Sequence, residues 1–272
     1  VDQGLAELVA DPDHAEAFTL YVEGSPQSHV DVGDPARLHF EYIRLLGHVV
    51  DAMAPPGLPV NALHLGGGAW TLARYVAQTR PGSRQRVVEL DAALVELVRR
   101  HLPSDRTGIR VRTGDAREVL TDLTGASVDL VVLDVFAGAR TPAHLTSSEF
   151  YAQVLRVLRP HGSCAVNVAD GGSLAFLRSQ AATLSALLDT TVRTGGRGDT
   201  VALLGPRTVL RGRHFGNVVL LASRAPLPLP ALGRRVASMA QPMHLLSGRE
   251  VTDLVAGMTP VTDATSVDSP TR

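Results

Sequence analysis

The chain has a single cysteine, Cys164, in 272 residues. No internal disulfide can form, and a reducing, cytoplasmic setting is expected. Cys164 sits in an apolar run, residues 163–167, where a small core hydrophobe is a better reading than a nucleophile. Basic excess is also missing. The net charge of −1 gives no pointer to nucleic acid or to an anionic membrane. No eighteen-residue apolar span and no signal-peptide pattern occurs, so a soluble chain is expected. There is no Ser/His/Asp nucleophile elbow, no phosphate-loop lysine and no metal-ligand spacing among His29, His39 and His48. Repeats and low-complexity blocks are absent. What remains is an ordinary globular chain, 44% hydrophobic and 19% charged.

What is present is a glycine turn. An apolar run at 60–65 stops at Gly66, Gly67 and Gly68, and a helical pattern starts at Trp70. Strand, glycine turn, helix is how an α/β sheet offers backbone N–H groups to a nucleotide, since a Cβ would hold the ligand away. Residues 86–91 read as a second strand with Glu89 at its C-terminal end. That is about twenty residues past the glycines, where a doubly wound fold sets the acid for ribose hydroxyls.

Residues 1–56 read as short strands, a β-hairpin or meander too small to stand alone, plus a connecting helix. Asp34 is that helix's expected N-cap, with Pro35 at the first position and Leu38, Tyr42, Leu45, Leu46, Val49 and Met53 at helical spacing. Residues 57–259 read as one nucleoside-binding domain. Its third strand, 109–113, ends at Gly114-Asp115-Ala116. Its fourth, 128–133, is nearly continuous in apolar residues, as a central parallel strand should be, and ends at Asp134. A fifth strand at 163–167, a strand pair at 200–204 and 217–223 and two helices after Pro226 follow. Residues 260–272, rich in Ser, Thr, Pro and Asp, read as a flexible tail.

The alternation predicts an α/β architecture, a Rossmann-like doubly wound parallel sheet with a small N-terminal β-hairpin domain. Ligands bind such sheets at the C-terminal strand ends. Gly66, Gly67, Gly68, Glu89, Asp115 and Asp134 should therefore line one crevice. Blander roles suit several neighbours. Asp91 should N-cap the helix after it, and His64 should be a core histidine. Asp170 should belong to a turn, and Arg197, Arg207, Arg211 and Arg213 to a solvated face. Trp70 is as well suited to packing as to capping a nucleoside.

The series Gly66-Gly67-Gly68, Val88-Glu89-Leu90-Asp91, Gly114-Asp115-Ala116 and Leu133-Asp134 resembles the class I S-adenosylmethionine-dependent methyltransferase-like fold. More narrowly it resembles the spermidine synthases, the polyamine aminopropyltransferases. The Gly24…Gln27 turn, the segment His39-Phe40-Glu41-Tyr42, and the loop from Asp134 to Leu145 followed by Thr146-Ser147-Ser148-Glu149-Phe150-Tyr151 narrow the likeness. The resemblance implies a transferase of polyamine biosynthesis. Glu89 would take the ribose hydroxyls. Asp115 would accept from the adenine amino group, with Ala116 beside the ring. The Gly66, Gly67 and Gly68 backbone would lie under the nucleoside, and Gln27 would reach it from the β-domain. Asp134 would be the catalytic carboxylate, beside both the sulfonium and the attacking amine. The co-substrate implied is S-adenosylmethionine or its decarboxylated form, with no metal, a small-molecule acceptor, and no nucleic-acid or membrane partner; a homodimer is left open.

The departures shape the acceptor. Ala69 and Ala137 stand where the family usually has aspartates, and His39 takes the place expected for a tyrosine. A buried diamine needs a carboxylate at each end, so putrescine should be a poor acceptor unless Glu41 or Asp170 substitutes. The charge lost at Ala69 tilts toward carboxylate-bearing S-adenosylmethionine. The alternatives are a small-molecule methyltransferase and a catalytically silent nucleoside-binding protein, Asp134 counting against the second. A NAD dehydrogenase lacks its third spaced glycine. The loop after Asp134, with Gly138 and small residues, should be mobile and close over the site, Pro142 limiting its travel.

Overall fold

Three short antiparallel strands begin the chain: β1 (Ala6–Ala10), β2 (Ala17–Val22) and β3 (Ser25–Asp31). The structure is a computed structural model and describes residues 1–104, 108–191 and 199–271. Leu20 and Val30 of the small sheet pack on Trp70, Ala73 and Val87, so it takes its core from the main body. Helix α1 (Glu41–Met53) starts later than Asp34 suggests. Asp31 accepts from the Asp34 N–H at 2.9 Å and from Arg37 Nε at 2.7 Å, which fixes this stretch as a loop. Asp34 makes a turn with the Ala36 N–H at 3.2 Å instead of capping the helix.

Next come β4 (Asn61–Leu65), α2 (Thr71–Thr79), β5 (Arg84–Glu89), α3 (Ala92–His101), β6 (Ile109–Thr113), α4 (Ala116–Thr121) and β7 (Val128–Leu133). Helix α5 (Ser148–Val157) leads into β8 (Leu158–Asp170). Strands β8, β7, β4, β5 and β6 lie side by side in that order, all parallel. Strand β7, apolar except at Asp129, sits in the interior. Side chains alternate between faces. Leu130 and Val132 join the core of α1 and α2, while Val131 and Leu133 join that of α5.

Beyond β8 lie α6 (Ala175–Thr191), β9 (Val201–Pro206), α7 (Arg207–Leu210), β10 (Gly216–Ser223), α8 (Leu229–Ala237), β11 (Met243–Ser247) and α9 (Arg249–Val255). Strands β10, β9 and β11 extend the sheet antiparallel. The sequence shows β9 and β10 but not β11, which lies where only helices are expected and is made by pairing on β9. No helix among the described residues is long and apolar enough to cross a membrane.

Residues 260–271 are not the flexible tail their composition suggests. Ser269 is fully buried. The Ser148 N–H, one of the orphan donors at the start of α5, finds the Val261 carbonyl at 2.7 Å. Asp263 takes the Arg117 guanidinium at 2.7 and 2.8 Å and the Ser147 hydroxyl at 2.5 Å. Short polar side chains here complete other elements rather than a core of their own, and composition cannot show that.

Candidate active site

Strand β4 runs straight into Gly66, which has φ +90°. A Cβ there would run into the Asp134 carbonyl, so the ends of β4 and β7 approach this closely only with glycine. Gly68 has φ +48°, and its Cβ would strike the Ser28 hydroxyl of β3. That hydroxyl accepts from the Ala69 N–H at 3.1 Å, which ties the small sheet to the turn. Between them, the Gly67 N–H donates to Glu89 Oε2 at 2.8 Å.

The strand ends are laced together by such bonds. Glu89 Oε1 takes the Asp91 N–H at 3.1 Å, and the Glu89 carbonyl takes the Gly114 N–H at 2.9 Å. Asp91 caps α3 through the Leu94 N–H at 2.7 Å, the role its position suggests. Asp115 caps α4 through the Arg117 and Glu118 N–H groups at 2.8 and 3.1 Å. Its other oxygen lies 2.8 Å from His144 Nε2. These donors hold the Asp115 carboxyl below its ordinary value, against the upward push of burial.

Gln27, the three glycines, Glu89, Asp115, Ala116 and Asp134 all line one cavity of about 310 Å³ at the C-terminal strand ends. The crevice expected from the sequence is therefore a single space. Among the described residues, the carboxylates lining it are Glu89, Asp91, Asp115 and Asp134, and no arginine lines it.

Asp134 stands where β7 ends. Asn167 Nδ2 of β8 donates to its Oδ1 at 2.8 Å, and the Tyr42 hydroxyl is hydrogen-bonded to the same carboxylate. Burial pushes Asp134 up to about 6, although Asn167 and Tyr42 pull the other way. Burial, then the Asp134 charge, drives the Tyr42 phenol well above its usual value. His39 does not reach Asp134 in this way; it stacks on His29, with ring centres 4.3 Å apart. Helical spacing sets Tyr42 on the apolar stripe of α1, and the resemblance includes it in the segment His39-Phe40-Glu41-Tyr42 without assigning it a role. Asn167 was hidden in a strand read as core; a lone amide in a buried parallel strand is the signal that finds it.

Several expectations change. Ala69 is fully buried in the cluster that holds Trp70 and is not on the cavity wall. Ala137 does line it. Asp170 is no substitute carboxylate, since it accepts from the Gly171 and Leu177 N–H groups at 2.7 and 2.8 Å. Glu41 is not on the cavity wall. Trp70 is packing, 3% exposed, with the Arg74 guanidinium 5.5 Å from its ring centre. His64 is buried 3.0 Å from Gln85 Oε1, and burial pushes it down to about 4. Arg207, Arg211 and Arg213 are exposed; Arg197 lies outside the described residues. The far end of the loop after Asp134 is tied to the C-terminal segment: Thr141 bonds Ser269, and Ala143 bonds Asp268.

His29 and His39, whose spacing shows nothing, do gather with Asp11, their ligand-type atoms within 4.8 Å. Their rings lie face to face, so the in-plane lone pairs run side by side instead of converging, and Arg37 lies 3.8 Å from Asp11. The cluster is an ion-pair network with its positive charge already supplied.

Residues 39–171 match the spermine/spermidine synthase domain family. A probable polyamine aminopropyl transferase of Bifidobacterium longum is 30% identical over 209 residues, 74% of this chain and 42% of that protein. The crystal structure of a probable spermidine synthase from Corynebacterium glutamicum is similar at TM-score 0.82 and 31% identity, over 94% of this chain and 92% of that one. Human methyltransferase-like protein 13 in complex with SAH has TM-score 0.52 at 18% identity, over 72% of this chain and 90% of that one, a likeness of fold alone. The chain spans less than half the length of curated relatives such as the Bifidobacterium protein.

Proposed function

This chain belongs to the spermine/spermidine synthase family, and we propose that it transfers an aminopropyl group from decarboxylated S-adenosylmethionine to a small amine. The observation that carries the choice of donor is the cavity's charge: among the described residues four carboxylates line it and no arginine does. The decarboxylated donor brings two positive charges. S-adenosylmethionine would bring a carboxylate with no cation to pair it, and an unpaired buried charge is costly.

The donor supplies a carbon activated by the neighbouring sulfonium. The chain's own groups do the rest. Glu89 accepts from the Gly67, Gly68 and Asp91 N–H groups and keeps acceptor capacity for ribose hydroxyls. Asp115 accepts from the adenine amino group, Ala116 leaves the ring face open, and Gln27 closes the nucleoside from the small sheet. The backbone at Gly66, Gly67 and Gly68 lies under the sugar. Asp134 takes the proton from the attacking amine. With its value near 6 it is ionised at neutral pH yet closer to the working pH than an ordinary carboxylate. Tyr42 and Asn167 fix its orientation, and its charge favours the approach of the nucleophile to the cationic centre.

Product identity tests this. Purified protein incubated with each donor and a panel of amines should release methylthioadenosine from the decarboxylated donor, detected by mass spectrometry. S-adenosylhomocysteine would mean methyl transfer, and neither product would mean a silent nucleoside binder.

A further inference from the structure

Asn167 makes only half of the hydrogen bonds its amide needs. Nδ2 donates to Asp134, and Oδ1 is buried with no partner. The residue is 3% exposed, where an unpaired amide oxygen costs about 1–3 kcal/mol. The carboxylate fixes the amide's orientation, because an ionised carboxylate only accepts. Asn167 and Asp134 share one cavity wall. An ammonium group drawn to the carboxylate therefore also has the orphan acceptor close beside it, on the amide that bonds Asp134.

The strand register shows what lies beyond. Ala169 is two residues on from Asn167, on the same face of β8. Asn217 of β10 is directly opposite Ala169. Asp134, Asn167, Ala169 and Asn217 thus make a row across β7, β8 and β10, all lining the cavity. The row crosses two strand spacings, roughly 10 Å, and steps two residues, roughly 7 Å, along β8, so its ends are roughly 12 Å apart; side chains reach in from both ends, so a ligand along the row is shorter than that. The row has a carboxylate at one end and a neutral amide at the other. Asp170, at the end of β8, spends its oxygens on the Gly171 and Leu177 N–H groups.

We propose that the acceptor is an amine with one ammonium group, held between Asp134 and Asn167 Oδ1, and with an uncharged hydrogen-bonding group at its far end, read by the Asn217 amide. Asn217 is then the residue that turns the site away from diamines. This rests on the transferase reading above. In the step itself the ammonium gives one proton to Asp134. The freed nitrogen lone pair forms the N–C bond while the C–S bond breaks, and its electron pair leaves with sulfur as neutral methylthioadenosine. Asn167 Oδ1 holds a second N–H and so aims the lone pair. A diamine would carry its second ammonium to Asn217, where a dipole stands in for the charge a buried cation needs.

The test compares putrescine with N-acetylputrescine, which keeps one ammonium and ends in a neutral amide. Binding of each to the methylthioadenosine complex is measured by calorimetry, and turnover with the decarboxylated donor by mass spectrometry. N-acetylputrescine should bind and react at least about tenfold better, or about 1.4 kcal/mol. Asn217→Asp, which sets a carboxylate at the far end with little change of shape, should reverse the order. A wild-type preference for putrescine, or equal binding of the two, overturns the assignment without any variant. So does a ratio that a folded Asn217→Asp leaves unmoved. If neither amine reacts while the binding preference holds, the transferase reading fails and the amine class stands.

Discussion

Thr141 and Ser269 bond each other twice: the Thr141 N–H donates to the Ser269 hydroxyl at 2.8 Å, and the Ser269 N–H donates to the Thr141 carbonyl at 3.0 Å. Beside them the Ala143 N–H donates to Asp268 at 2.8 Å. The C-terminal segment thereby holds the loop whose Ala137, Pro142 and His144 wall the cavity. Removing residues 260–272 should leave the sheet folded, since its core lies elsewhere, but weaken methylthioadenosine binding by roughly tenfold. Calorimetry on the shortened protein checks this; undiminished affinity would show that the loop holds itself.

Glu89 should be the strongest single determinant of nucleoside binding. Glu89→Ala removes the ribose acceptor and also frees the Gly67 and Gly68 N–H groups, so affinity should fall by at least about a hundredfold. Glu89→Gln keeps one acceptor and should lose less. Equal affinity in wild type and both variants would remove Glu89 from the site.

Asp134 makes a prediction about stability as well as rate. Its folded value, about 6, lies above the ordinary 3.8. A group shifted in this direction adds stability while protonated, below its unfolded value, and that contribution is lost as pH rises through about 6. Asp134→Asn should therefore raise stability by roughly 1–3 kcal/mol at pH 8, and by almost nothing at pH 4. Thermal melts of both proteins at the two pH values give the difference. A variant less stable at pH 8 would mean that the carboxylate's bonds outweigh its burial.

Arg80, 2% exposed, holds the exit from α1. Its guanidinium donates to the carbonyls of Val50, Ala54, Pro55 and Leu58 at 2.8 to 3.0 Å. Arg80→Leu should cost about 3–5 kcal/mol, since those carbonyls lose their donor inside the protein. Arg80→Lys should not recover it, because a point charge cannot span the four acceptors. Urea melts decide; a loss under about 1 kcal/mol would show that water replaces the guanidinium.

The parallel half of the sheet was legible because burial on both faces writes a signal into the chain. The strand at 128–133 is almost wholly apolar, and the residue that breaks each run is the one at the cavity: Gly66, Glu89, Asp115, Asp134. Residues acting through partners distant in sequence left no such mark. Tyr42 reaches Asp134 from another element, and Asn167 does so from a strand that reads as core. Ala69 follows the glycines directly, and its burial behind the αL turn at Trp70 is not written in the motif. Asp34 had the chemistry of a cap, but Asp31 and Arg37 took the local hydrogen bonds first.

The central claim is that Asp134 is the carboxylate of the reacting centre, and Asp134→Asn isolates it. The variant is close in shape and can still accept from Asn167. Turnover should fall by at least about a hundredfold with any amine the wild type accepts. Methylthioadenosine affinity, measured on the same preparation, should stay within about twofold, a free-energy change of under 1 kcal/mol. Turnover that survives the substitution would contradict the account and make Asp134 a structural residue.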